Sequence, residues 1–184
     1  MASTPQGRPN GRLANVSAAL VVPMGEHEGT RIGPMGATAT LLRQLFEDVV
    51  IIGDIGHATL DHTARRLERD RASQSPLADL LLALEAAREE RQLVLAADSD
   101  FVTAELLLGL TAWPEHECVA PRIGGVLQPF CALYQREAAL RTLRDELARG
   151  EASLSSFLNQ LDCGVLEGDD LESLLPAAAS ASLS

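Results

Sequence analysis

Two carboxylates, Asp98 and Asp100, with only Ser99 between them, close the apolar run Gln92–Ala97. A carboxylate at the C-terminal end of a buried strand can hold a Mg²⁺ that bridges phosphate oxygens. Phosphoryl and nucleotidyl transfer need that arrangement, because their chemistry is mainly positioning and charge neutralisation. Asp98 is therefore the candidate metal ligand and catalytic residue; Asp100 is read as leading into the helix that Thr103 would cap. A second element of such a site is a cation against the phosphates. The chain has no lysine, so all 15 of its basic residues are arginines. Arg31 is the only cation in the glycine-containing stretch Pro23–Gly36, and a guanidinium can clamp a phosphate through two donors at once.

Other chemistries lack their residues. His27, His57, His62 and His116 form no i, i+4 ligand pair, and all four are expected on the surface or in loops. No Gly-x-Ser-x-Gly elbow is present for acyl transfer. Pro23–Gly36 is neither a Walker A motif, which ends in Gly-Lys-Ser/Thr, nor a Gly-x-Gly-x-x-Gly. Cys118, Cys131 and Cys163 are far apart and odd in number, which predicts reduced, buried thiols and no structural zinc.

The elements that must position Asp98 follow from periodicity. Ala18–Val22 predicts a short strand, leading through the glycine stretch into a helix over 37–46 with Leu41, Leu42, Leu45 and Phe46 on its apolar face. Asp48–Gly53 is a buried strand that ends in Asp54 and Gly56. Residues 57–71 fit either a charged helix or a short edge strand near 66–69. Pro76 opens an amphipathic helix over 77–90 with Leu77, Leu80, Leu81 and Leu84 inward. Gln92–Ala97 follows as a strand, and Thr103 caps a helix through Leu110.

Cys118–Pro121 and Val126–Tyr134 then read as two strands around Gly124-Gly125, with Pro129 demanding an edge or bulge in the second. Helices over 136–148 and 154–161, a strand at Cys163–Leu166 and a final turn over 169–175 complete the pattern. This alternation specifies a three-layer α/β/α, Rossmann-like domain with a mostly parallel sheet and one hairpin over residues 17–175. Residues 1–16 read as a mobile arm and 176–184 as a disordered tail. The loops that follow the strands converge on one edge, collecting Pro23–Gly36, Asp54–Gly56 and Asp98–Asp100.

Composition bounds the partners. A net charge of −11 repels a polyphosphate backbone, so nucleic acid is not expected. A mononucleotide is compatible, since backbone N–H groups and a bound Mg²⁺ neutralise its phosphates locally. No apolar run approaches the roughly 20 residues that span a bilayer, and no secretory signal opens the chain, so a cytoplasmic protein without membrane contact is expected.

Four stretches resemble the molybdenum cofactor guanylyltransferase family of nucleotidyltransferases and its cytidylyltransferase relatives. LVLAADSDFVTAELL is similar to that family's strand, metal-binding aspartate and helix; APRIGGVLQPFCALY is the most specific piece; GEASLSSFLNQL and VVIIG also fit. The resemblance covers most of the chain from Leu20 to about Leu175. It implies a nucleotidyltransferase fold, Mg²⁺ on Asp98, and attack by a phosphorylated pterin-type acceptor on the α-phosphate of GTP or CTP. It further implies nucleotide binding at Gly25, Gly29, Gly33 and Pro76, and acceptor binding at Arg122, Gly124, Gly125, Gln128 and Pro129.

The chain departs from the family on the nucleotide side. Where the family's first loop carries Gly-Gly, Arg-Met-Gly and a lysine, this chain offers Pro23-Met24-Gly25 and Thr30-Arg31-Ile32-Gly33. Its Gly-Pro-x-x-Gly segment is Ser75-Pro76-Leu77-Ala78-Asp79, which puts an acid near the expected triphosphate. The late Asn-x-Asn-Thr-Pro-Glu-Asp stretch is GVLEGDDL. The competing expectations are an active enzyme in which Arg31 replaces the lysine, and a catalytically degenerate member. The latter would bind a cofactor, a nucleotide or molybdoenzyme assembly factors.

Overall fold

The computed structural model describes residues 12–22, 32–53, 64–69, 75–113, 115–150 and 153–175. The expectations for His27, His57, His62, Gly25, Gly29, Arg31, Asp54, Gly56 and the C-terminal tail lie outside them. The elements are β1 (Leu13–Val21), α1 (Ile32–Leu45), β2 (Phe46–Ile52), β3 (Arg65–Leu67), α2 (Pro76–Ala86), β4 (Arg91–Ala96) and α3 (Ala104–Thr111). After them come β5 (Cys118–Ile123), β6 (Val126–Leu127), β7 (Cys131–Gln135), α4 (Arg136–Arg149), α5 (Leu154–Asn159), β8 (Cys163–Leu166) and α6 (Gly168–Glu172).

These strands form one eight-stranded sheet in the order β3-β2-β1-β4-β7-β5-β6, with β8 paired to β5. β1 lies parallel to both β2 and β4, and β3 parallel to β2. β7 is antiparallel to β4 and β5, and β8 is parallel to β5. β5 and β8 therefore run in the same direction as β1–β4, so six strands deliver their C-terminal ends to one edge. The chain winds outward from β1 through β2 and β3, then returns to the other side of β1 with β4. That reversal between β1 and β4 is a topological switch point, where open α/β sheets form a ligand crevice.

Alternation along each strand sends side chains to opposite faces. Ala18, Leu20, Leu93 and Leu95 pack in one core cluster with Ala39 and Leu42 of α1, Leu106, Leu107 and Leu110 of α3, and Leu171 of α6. Ala19, Val21 and Val94 pack in the other with Leu77, Leu80 and Leu84 of α2, Leu140 and Leu143 of α4, and Phe157 of α5. This is the expected three-layer α/β/α arrangement.

Several boundaries move. β1 starts at Leu13, so residues 13–16 belong to the strand and not to an arm. A register irregularity between Leu13 and Ser17 breaks the alternation that would have revealed it. α1 starts at Ile32, which makes Gly33, Pro34 and Gly36 helical; a proline in the first turn loses no helical hydrogen bond. Phe46 opens β2 instead of closing the helix, and is 1% exposed. The expected strand 126–134 is two strands, β6 and β7, because Gln128-Pro129-Phe130 turns between them. The ambiguous segment contributes β3, an edge strand of three residues.

Gln92, at the start of β4, is fully buried, and neither Oε1 nor Nε2 has a protein partner among the described residues. A buried unsatisfied amide costs about 1–3 kcal/mol. Gln92→Leu, which keeps the volume, should therefore raise unfolding stability by about 1 kcal/mol in a urea titration at unchanged m-value. A fall in stability would contradict this reading.

Candidate functional site

Asp98 stands in the turn directly after β4, exposed to solvent. Burial of Leu93, Val94 and Leu95 fixes the strand, and the Ser99 N–H donating to the Ala96 carbonyl at 3.3 Å folds the turn that carries the carboxylate. The neighbours of this turn are held by backbone bonds. Ala97 N–H donates to the Val21 carbonyl at 2.8 Å, which places the exit of β1 alongside it. Ala96 N–H donates to the Phe130 carbonyl at 2.7 Å, which ties the Gln128-Pro129-Phe130 turn to the same strand end. Asp98 therefore stands at the switch point, between the end of β1 and the turn that leads into β7. Asp100 is exposed three residues before Thr103, whose Oγ1 caps α3 by accepting from Leu106 N–H at 3.0 Å.

The expected acceptor residues are grouped beyond β7. Gly124 and Gly125 form the tip of the β5–β6 hairpin with φ of 56° and 80°. Two successive positive φ values are what a two-residue hairpin of this hand requires, and glycine adopts them without a Cβ clash. Gln128 is anchored by its own backbone, its N–H donating to the Pro121 carbonyl at 3.1 Å, and its side-chain Nε2 donates to the Val126 carbonyl at 3.1 Å. The Pro129 carbonyl accepts from the hydroxyl of Tyr134 at 2.7 Å. Tyr134 is wholly buried, and burial pushes its hydroxyl well above the usual phenol range, so it stays a donor.

Arg122 is at the end of β5, on the edge shared with Asp98. Its Nε donates to Glu167 Oε2 at 2.8 Å, and its Nη1 reaches the Gly125 carbonyl at 3.5 Å. The parallel register that sets Pro121 beside Leu166 brings these charges together one residue later. Glu167 thus faces an arginine expected to bind the acceptor, a partner that sequence spacing did not reveal.

On the other side of the crevice, Pro76 is the first residue of α2, behind the N-cap Ser75, whose Oγ accepts from Ala78 N–H at 3.1 Å. Gly33 lies in helix α1, not in a loop. Asp79, the acid expected to repel a triphosphate, is already neutralised: its Oδ1 accepts from Arg69 Nε at 2.5 Å, with the two side chains only 13% and 11% exposed. The signal for this pair was weak, because Arg69 lies in the one segment whose periodicity fits two structures.

Among the described residues no cluster of three or more His, Cys, Asp or Glu side chains could enclose a metal ion. Mg²⁺ needs no such cage, since it is commonly held through one or two carboxylates plus substrate phosphates. The exposed carboxylate of Asp98 fits such a share. No described helix is long and apolar enough to cross a membrane.

Two of the three thiols lie away from this turn, whereas Cys131 pairs with Leu95 beside it. Cys118 and Cys163 are register partners in β5 and β8, at the opposite ends of those strands from Arg122 and Glu167. Burial pushes Cys131 up to about 12. The Cys118 thiol, hydrogen-bonded to Cys163, holds Cys163 below the usual thiol value and is itself raised. Cys163 should therefore be the first thiol alkylated by iodoacetamide in the native protein, with a rate that climbs as pH rises through its lowered pKa, and Cys131 should react only on unfolding. Peptide mapping by mass spectrometry checks this, and native labelling of Cys131 would contradict it.

Comparison with known proteins agrees with this geometry. Residues 34–164 match the model of the MobA-like NTP transferase domain, well over half of the chain. A protein of Chloroflexus aggregans described as a probable molybdenum cofactor guanylyltransferase is 32% identical over 125 residues, covering 66% of this chain and 60% of that protein. This chain thus spans less than two thirds of that relative's length. A protein from Aquifex aeolicus superposes with a TM-score of 0.72 at 16% identity, covering 95% of both chains. Molybdopterin-guanine dinucleotide biosynthesis protein A from Archaeoglobus fulgidus gives 0.57 at 17% identity, over 80% of this chain and 82% of that one. The 2-C-methyl-D-erythritol 4-phosphate cytidylyltransferase of Thermus thermophilus gives 0.61 at 16%, over 87% and 89%. At such identities the structural likeness is one of fold, whereas the domain match reaches further: the chain belongs to the MobA-like NTP transferase family.

Proposed function

We propose that the chain is a Mg²⁺-dependent nucleotidyltransferase that transfers a nucleoside monophosphate from GTP or CTP to a phosphorylated pterin-type acceptor. The observation that carries this reading is the position of Asp98: an exposed carboxylate at the β1–β4 switch point, with the Gln128–Phe130 turn bonded to the same strand end. In the reaction an acceptor phosphate oxygen bonds to the α-phosphorus while the bond from that phosphorus to the bridging oxygen of the leaving pyrophosphate breaks.

Asp98 would hold the Mg²⁺, which when bound neutralises phosphate charge as it develops. Gln128, whose N–H is bonded to the Pro121 carbonyl, and the hairpin tip would orient the acceptor. Arg31 is the proposed cation against the leaving group. Calorimetric titration with GTP and with CTP, each with and without Mg²⁺, tests the reading. Heat of binding that depends on Mg²⁺ is expected, and no heat for either nucleotide would sink it.

The Arg122–Glu167 pair favours a second reading, a catalytically reduced member acting in molybdoenzyme maturation. Arg122, expected to bind the acceptor, is already paired with a carboxylate. Nucleotide binding without release of pyrophosphate in the presence of phosphorylated pterin, together with recovery of molybdoenzyme assembly factors in a pull-down, would select it.

A further inference from the structure

The mostly buried Arg69 makes contacts that reach beyond charge neutralisation. Its Nε donates to Asp79 in the first turn of α2, and its Nη2 donates to the carbonyl of Val22 at the exit of β1. Beneath it lies Gly53, at the exit of β2, where an added Cβ would come within 2.6 Å of Arg69 Nη1. Gly53 N–H in turn donates to the Leu67 carbonyl of β3 at 3.1 Å, and Val22 N–H to the Ile52 carbonyl at 2.9 Å. One guanidinium thus ties the exit of β1 to the first turn of the helix that carries Pro76, and lies over Gly53 at the exit of β2.

Val22 is the residue that matters for the site. The carbonyl before it, of Val21, accepts from Ala97 N–H, the residue adjoining Asp98. The exit of β1 is thereby clamped on one side by the Asp98 turn and on the other by Arg69. A planar fork can satisfy a carboxylate and a backbone carbonyl together in fixed geometry, which a compact ammonium does less well.

We propose that Arg69, with Asp79 as its counter-ion, is a positioning residue for the nucleotide: it fixes the exit of β1 beside Asp98 and so sets nucleotide and Mg²⁺ affinity without touching the reacting atoms. This rests on the nucleotidyltransferase reading. A merely structural ion pair would act through stability alone, and replacing a buried pair by apolar residues commonly restores stability.

The test compares the full-length wild type, the double variant Arg69→Leu/Asp79→Leu and Arg69→Lys, measuring thermal unfolding alongside calorimetric Kd for GTP and CTP at several Mg²⁺ concentrations. The expected result is a double variant that melts near the wild type yet binds nucleotide about tenfold more weakly and needs more Mg²⁺. Arg69→Lys, which keeps the charge without the fork, should shift in the same direction. Wild-type affinity in the double variant overturns the proposal. If the double variant does not fold, Arg69→Lys decides: wild-type affinity there overturns the proposal, and weakened affinity upholds it. A wild type that binds neither nucleotide overturns the nucleotidyltransferase reading first, and this proposal with it.

Discussion

Asp98→Asn should lower nucleotide transfer by about a hundredfold or more and abolish the Mg²⁺ dependence of nucleotide binding, while leaving the melting temperature nearly unchanged. The two halves of this expectation have separate causes. The substituted amide is neutral and a poor ligand for a hard cation, so the charge proposed to draw Mg²⁺ to the switch point is lost. The fold should not notice, because the carboxylate is exposed and the strand before it is held by Leu93, Val94 and Leu95 and by backbone bonds to β1 and β7. Surface changes of this kind usually alter stability by less than about 0.5 kcal/mol. Pyrophosphate release measured against Mg²⁺ concentration, with a melting curve of the same sample, checks both halves. An unchanged metal response would remove Asp98 from the site.

Asp79→Ala should do the reverse, with a large loss of stability. Removing one partner of a buried ion pair leaves the other charge unpaired, at a cost of about 3–5 kcal/mol. Arg69 would keep its bond to the Val22 carbonyl, but with its side chain 11% exposed it cannot regain full hydration. Asp79 is also in the first turn of α2, where a negative charge is favoured by the helix dipole, and the alanine variant would forfeit that too. Chemical denaturation should show the midpoint falling at an unchanged m-value; a loss below about 1 kcal/mol would mean that the pair behaves like an exposed one.

One departure on the expected nucleotide side, Asp79, has a partner in the structure. An acid in place of a small residue at the start of α2 reads as repulsion when only its neighbours in the chain are seen. Arg69 comes ten residues earlier and reaches it only because β3 lies at the edge of the sheet beside β2. On the acceptor side Arg122, an acceptor-binding residue by the resemblance, is joined to Glu167 across β5 and β8.

What the sequence determined by itself was the alternation of apolar runs with helical stripes, and hence the three-layer sheet. Leu77, Leu80 and Leu84 of α2, Leu106, Leu107 and Leu110 of α3 and the strand before Asp98 are inward as their spacing requires, because burial of a periodic apolar face is a local property of the chain. Element ends were less legible where glycine, proline or a register shift interrupts the period, as at Leu13, Gly33 and Pro129. The partners of charged groups were not legible at all. Arg69 with Asp79 and Val22, Arg122 with Glu167, and Tyr134 with Pro129 are set by strand order and register. The side chains of Arg, Glu and Tyr carry no periodic signal that tells which neighbour will neutralise or bind them. The sequence pointed to Asp98, and strand order and register set what stands around it.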